Sequence, residues 1–233
     1  MELGISLPAG RLMEEKGRLA DSVDFFEVLL PGDRDVPNLV GCEKRILVAH
    51  LPDLNRSCFE ALRQAHCLRA EKAVVHFHTS TPMGRDEKME TLRTLHKRAE
   101  AQGMRLCLEN TEESVVQLGD LFRAMPWLMF CLDVGHANLF SNDPVDFIES
   151  FRDRLAHVHI HDNRGGDSEG DDLHLPPGEG TIDFPRVLAA LKSIGYSGAI
   201  TLELAPSDDV RLKVESLGRL REMLARLANG TTA

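Results

Sequence analysis

Short apolar runs alternate from end to end with longer stretches in which apolar residues recur every three or four positions. The short runs predict strands at Glu2–Leu7, Asp24–Leu30, Arg45–Leu51, Ala73–His78, Arg105–Glu109, Leu128–Val134, Ala156–His161 and Ala199–Leu204. The longer stretches predict amphipathic helices, among them Ser57–Ala70, Arg85–Gln102, Asp143–Arg154, Asp183–Ile194 and Asp208–Leu227. Ser57, Asp143 followed by Pro144, Asp183 before Pro185, and Ser207 or Asp208 offer side chains that can cap those helices. The segment Gly32–Cys42 is short and broken by proline, so the helix after the second strand is expected to be shortened or missing. Strands regularly separated by helices imply a parallel sheet, and eight of them imply a (β/α)8 TIM barrel. No linker or repeat interrupts the pattern, so residues 1–233 are expected to form one domain.

A barrel tests this reading, because side chains alternate between the lumen and the helix layer. Leu106 and Leu108, Phe130 and Leu132, Val158 and Ile160, and Leu202 and Leu204 share the outward phase. The inward phase holds Cys107 and Glu109, Cys131 and Asp133, His157, His159 and His161, and Thr201 and Glu203. The same parity brings in His50 on the third strand and His76 and His78 on the fourth. Polar residues on six strands therefore collect inside the C-terminal mouth, where barrel active sites are built.

Taken singly, a histidine or aspartate at a strand tip is most often a hydrogen-bonded structural residue or a helix cap. The set is different. Glu109, Asp133, His159 and Glu203 end four adjacent strands, and three inward carboxylates repel one another at a cost of several kcal/mol each in desolvation. No inward Lys or Arg neutralises them, since Arg105 lies at the opposite end of its strand. A divalent cation resolves the conflict, and a mixed carboxylate–imidazole set suits Mn, Co, Fe or Zn. Gly135 then lets the chain turn so that His136 leans over the same pocket.

Composition narrows the partners. With 37 acidic and 27 basic residues the net charge is -10, a surface that disfavours nucleic acid and anionic membrane. The hydrophobic runs are strand-length, and the N-terminus lacks the basic segment of a secretory signal. Cys42, Cys58, Cys67, Cys107 and Cys131 are odd in number and form no CxxC pair, so buried free thiols and a cytoplasmic location are expected.

The stretches LCLENT (106–111), CLDVGHAN (131–138), HVHIHD (157–162), DLHLPPGEGTIDF (172–184) and YSGAITLEL (196–204) resemble the xylose-isomerase-like TIM-barrel superfamily. That group contains sugar isomerases and epimerases as well as endonuclease IV-type AP endonucleases. The resemblance covers nearly the whole chain and is densest in its second half. It implies one divalent metal on Glu109, Asp133, His159 and Glu203, with Glu109 and Glu203 as the catalytic carboxylates. The endonuclease pattern implies further ligands, matched here by His50, His78, His136, Asp172 and His174, for two or three metals.

Two activities follow from the resemblance, with an idle scaffold as the third option. The first is isomerisation or epimerisation of a sugar or sugar phosphate, through proton transfer and a metal-stabilised enediolate, with Mn, Co or Zn as cofactor. His50, His78, His136, Arg164 and Glu27 are then candidate substrate contacts. The alternative is a multi-zinc phosphoesterase of the endonuclease IV type. Against that alternative stand the net charge of -10, the lack of long barrel-end loops, and LPDLN after His50 where a base-flipping enzyme wants an aromatic wedge. A complete ligand set argues against the scaffold. The sequence also admits a homodimer.

Several neighbours have plainer expected roles. His66 and His96 lie on helices as surface or packing residues, and His76 and His157 as deeper partners that orient ligands. His161 sits ambiguously beyond His159, and Asp162 either orients a histidine or caps its loop. The run Asn163–Asp172 is Gly-rich and acidic and is expected to be a mobile lid with Asp172 at its base. The GEG at 178–180 is too short for a dinucleotide fingerprint.

Overall fold

The apolar runs form eight parallel strands: β1 (Glu2–Pro8), β2 (Phe25–Leu29), β3 (Ile46–His50), β4 (Lys72–His76), β5 (Arg105–Glu109), β6 (Met129–Asp133), β7 (Leu155–Ile160) and β8 (Ala199–Leu202). Each pairs with the next, and β1 closes on β8. The computed structural model describes residues 1–34, 36, 39, 44–78, 82–140 and 142–228. Around the barrel lie α1 (Ala9–Leu19), α2 (Ser57–Cys67), α3 (Arg85–Ala101), α4 (Val115–Ala124), the single turn α5 (Val134–Ala137), α6 (Pro144–Phe151), α7 (Phe184–Ser193) and α8 (Val210–Ala228). Among the described residues no helix separates β2 from β3. Cys42 and part of the Gly32–Cys42 segment lie outside the described residues. No helix among the described residues is long and apolar enough to cross a membrane.

The outward phase behaves as the alternation requires. Leu106, Leu108, Phe130, Leu132, Val158, Ile160 and Leu202 are buried beneath the helices, each side chain stabilising the fold by roughly 1.5–3 kcal/mol. Helix starts are fixed by local chemistry. Asp143 accepts from the Val145 amide and Asp183 from the Arg186 amide, each just before a Pro in the first turn. Ser114 and Gln117 form a reciprocal capping box on α4. Ser57 is the first residue of α2 and not its cap; the N-cap position is Arg56, and the Asn55 side chain before it accepts from the Ser57 amide.

Inside the barrel, Phe25, Val48, Val74, Cys107, Cys131 and Ala199 make a separate apolar plug. Gly4 makes room for it, because a Cβ there would come within 2.4 Å of the Phe25 ring. The plug separates the N-terminal mouth, where Lys72 donates to the Ala156 carbonyl at 2.7 Å, from a polar layer at the C-terminal mouth. Cys58, Cys67, Cys107 and Cys131 are free thiols; burial pushes Cys58 and Cys107 up to about 11, which keeps them inert.

Candidate metal centre

The imidazole of His159 is the hub of the polar layer. Its Nδ1 lies 3.3 Å from Glu109 Oε2, 3.6 Å from Glu203 Oε1 and 3.9 Å from Asp133 Oδ2. Its Nε2 faces Glu27 Oε2 at 3.1 Å, which fixes the ring so that Nδ1 looks inward. Asn110, directly after Glu109, braces the neighbouring strand: its amide donates to the Asp133 carbonyl and accepts from the Asp133 N–H. The Asp133 carboxylate accepts from the His136 amide at 2.7 Å, and that turn swings His136 over the centre. Glu109, Asp133 and His159 are fully buried and Glu203 almost so.

What this cluster lacks is partners. Both Glu109 oxygens, Asp133 Oδ2, Glu203 Oε1 and His159 Nδ1 are buried without a hydrogen bond. Such orphaned groups cost about 1–3 kcal/mol each, more when charged. A divalent ion would supply the partner such atoms lack, and ligand atoms mutually within 4.8 Å occur here on Glu27, His50, His159 and Glu203 and on Glu109, Asp133 and His136, mixed carboxylate–imidazole sets that suit Mn, Co or Zn.

Two further groups adjoin the hub. In the first, His76 Nε2 sits 3.2 Å and His50 Nε2 3.6 Å from Glu109 Oε2, with the two nitrogens 3.1 Å apart. Sequence parity places His76 and His78 on the same face, with His78 as the nearer to the mouth. The structure places His76 in the cluster, because β4 ends there in register with Glu109. His78 lies beyond the strand, is exposed, and faces Glu112 at 3.5 Å. In the second group, His136, His161, Asp172 and His174 have ligand atoms mutually within 4.8 Å.

The remaining candidates separate cleanly. Glu27 is buried, its Oε2 3.1 Å from Nε2 of both His159 and His157, and it presents a ligand atom within 4.8 Å of those of His50, His159 and Glu203. Arg164 is exposed and is not among the cavity-lining residues. Asp162 caps its loop, accepting from the amides of Asn163, Gly178, Gly180 and Ile182. The Asn163–Asp172 loop is pinned at its base, where Asp162 bridges Leu175 and the Asn163 side chain donates to the Gly135 carbonyl. Asn110 escaped sequence reasoning, although its place directly after a strand-end glutamate was the available signal.

A cavity of about 660 Å3 opens above the cluster, reached by His50, His76, His174 and Glu203 and walled by Leu7 and Leu29. Its dimensions suit one small molecule.

Charges in the cluster are set by mutual contact. Burial would raise Glu109, yet the close imidazoles of His159, His76 and His136 hold it well below its usual range. Burial would likewise raise Asp133, but His136 and His161 hold it down to about 2. Burial would lower His50, but the carboxylates of Glu203, Glu27 and Glu109 around it push it up to about 10. Asp133 thus stabilises the metal-free fold above its unfolded value near ~4, an effect lost as pH falls through about 2. His50 stabilises it below its unfolded value near ~6.5, an effect lost as pH rises through about 10. The melting temperature of metal-free protein is therefore expected to peak between roughly pH 4 and 6.5 and to decline toward pH 10. Thermal melts in chelator across that range check this; a flat profile above pH 6.5 would remove His50 from the charge network.

A family description, xylose isomerase-like TIM barrel, matches residues 57–226. The chain belongs to that family. It is 36% identical over 153 residues to an uncharacterized protein of Methanocaldococcus jannaschii, MJ1311, covering 60% of this chain and 49% of that one. A putative L-ribulose-5-phosphate 3-epimerase of Escherichia coli K12, SgbU, is 31% identical over 87 residues, 36% of this chain and 30% of that one. The chain thus spans about half or less of the length of these relatives. A crystal structure described as a D-tagatose 3-epimerase-like protein superposes with a TM-score of 0.80 at 25% identity, over 100% of both chains. The closed eight-stranded barrel expected from the sequence thus finds its counterpart in a known fold.

Proposed function

We propose that the protein is a divalent-metal-dependent isomerase or epimerase acting on a small sugar or sugar phosphate. The observation that carries this reading is the convergence of Glu109, Asp133 and Glu203 on Nδ1 of His159, next to a cavity of about 660 Å3. The epimerase names among its relatives support it. A divalent ion held by those four residues would polarise a neighbouring carbonyl–hydroxyl pair and acidify the C–H between them.

The chain's own groups then move the proton. Glu203 lines the cavity and takes the proton from one face of the substrate carbon. Glu109, across the barrel mouth, returns it to the other. His136 stands behind Glu109, its Nδ1 3.3 Å from Oε1, and as the imidazolium supplies the proton that Glu109 delivers, while Glu203 keeps the one it has taken until solvent resets both groups. His50 and His76 line the same cavity and donate to substrate oxygens.

Solvent exchange tests this. In D2O, metal-loaded protein given a panel of ketoses and ketose phosphates is expected to incorporate one deuterium beside the carbonyl of its true substrate, and chelator should abolish the exchange. Metal-loaded protein that exchanges nothing on the panel but cleaves phosphoesters would overturn the reading. The second reading, multi-metal phosphoester hydrolysis, draws on one observation: His50, His76 and Glu109 also present ligand atoms to a common point. It predicts an additional ion per chain at that position.

A further inference from the structure

We propose that the cavity takes a sugar whose far end is uncharged and apolar, a terminal deoxy sugar rather than a sugar phosphate. This rests on the reading that the site isomerises or epimerises a small sugar, and it names which class of sugar.

The cavity has two unlike sides. One carries His50, His76, His174 and Glu203, beside the proposed reacting groups. The other is formed by the ends of β1 and β2, the start of α1 and the segment between β8 and α8. Leu7, Pro8, Leu29, Leu204, Ala205 and Pro206 line that second side. Leu29 and Leu204 are half-buried and Pro8, Ala205 and Pro206 exposed, so apolar surface is left for an occupant to cover.

Two cations reach the same side, Arg11 on α1 and Lys213 on α8, and together they would be the natural seat for a phosphate. Both are already taken. Lys213 Nζ donates to Glu15 Oε2 at 2.6 Å and to the Ser207 carbonyl at 2.8 Å, and both side chains of that ion pair are buried. Arg11 pairs with the other oxygen of Glu15, with Asp208 Oδ1 at 2.6 Å and with Glu14 Oε2 at 3.6 Å, and donates to the Ser207 carbonyl at 3.2 Å. Two cations thus face three carboxylates. Among the described residues no other Lys or Arg lines the cavity, and the residues outside them include neither type.

Charge decides between the tails. A phosphate monoester carries about −1.5 to −2 charge near neutral pH. Seated on this side it loses hydration, meets no cation without an anion of its own, and is repelled by the carboxylates that hold those cations. A methyl end loses nothing there and covers the leucines and prolines. Ser6 Oγ, two residues deeper along β1 than Pro8 and buried without a hydrogen bond, is left for a hydroxyl nearer the reacting groups.

A matched series tests the proposal: ketoses of one skeleton with a methyl, a hydroxymethyl or a phosphorylated hydroxymethyl end, given to metal-loaded protein. Between hydroxymethyl and methyl, kcat/KM is expected to rise about tenfold; between hydroxymethyl and phosphate it is expected to fall about 100-fold or more. Asp208→Asn, at an exposed position, and Glu15→Gln each take an anion from Arg11 and should recover the phosphate about tenfold relative to the hydroxymethyl compound. A network with only a structural role would leave that ratio alone. Calorimetric titration of the three compounds should give the same order from affinity, whether or not they turn over. Phosphate bound or turned over by wild type as well as the methyl compound would overturn the proposal, as would an unchanged phosphate ratio in both variants. Deuterium exchange on phosphates alone would therefore sink this inference and leave the isomerase reading standing. Exchange on none of the three, with affinities in the stated order, would do the opposite.

Discussion

Glu109→Gln is expected to lower turnover by about 10³-fold or more, the scale of losing a positioned acid–base group, and to weaken the inner ion at the same time. The residue serves two ends. Its carboxylate is one of three that meet at His159 Nδ1, and it is the group opposite Glu203 in the proposed proton transfer. An amide of equal size fills the space but neither carries charge nor takes a proton. Solvent deuterium exchange and metal content measure the two losses separately. The metal-free protein is also informative. Carboxylate crowding alone would make this change neutral or stabilising, but the structure surrounds Glu109 with His50, His76, His136 and His159. Removing the anion leaves buried imidazolium charge unpaired, which costs about 3–5 kcal/mol for a broken buried pair. The metal-free melting temperature should therefore fall by roughly 10 °C. An exchange rate equal to wild type would take Glu109 out of the mechanism, and an unchanged melt would show those imidazoles neutral.

The sequence made the barrel and its ligand parity legible because both depend on local alternation. Inward and outward positions on β5 to β8 can be counted from residue to residue, and the counts put Glu109, Asp133, His159 and Glu203 on the inward face. What alternation cannot resolve is height along the barrel axis. His76 and His78 have the same parity, and only the pairing of β4 with β5 places His76 opposite Glu109. Likewise His159 and His161 share a face, yet one is held from below by Glu27 and the other rests on Gly135 and His174. Those neighbours are distant in the chain or arrive from a loop, so no window along the sequence contains them. Arg164 shows the reverse: a plausible clamp by composition, it is exposed and absent from the cavity lining, on a loop whose base Asn163 and Asp162 pin.

The double replacement His50→Ala with His76→Ala separates the two enzymatic readings. Both imidazoles line the cavity, and both approach the same Glu109 oxygen. If they serve a sugar isomerase or epimerase, they donate to substrate hydroxyls and hold no ion. The change should then raise KM about tenfold, the ~1.4 kcal/mol of a lost hydrogen bond, or alter the sugar preferred, while metal content stays constant. If they serve a multi-metal hydrolase, they and Glu109 hold an ion that generates hydroxide, and that ion leaves with them. Metal content would fall by about one per chain, and phosphoester cleavage would collapse by several orders of magnitude. The expected result is the first. A pocket for one small molecule and an acidic surface suit a sugar better than a polyanion, and the proposed proton-transfer carboxylates, Glu109 and Glu203, both approach His159 Nδ1. His50 also contacts Glu27 and Glu203 through its other nitrogen, at 3.5 and 3.8 Å, so its ring already has an orienting role. Loss of an ion in the double variant would decide for the hydrolase.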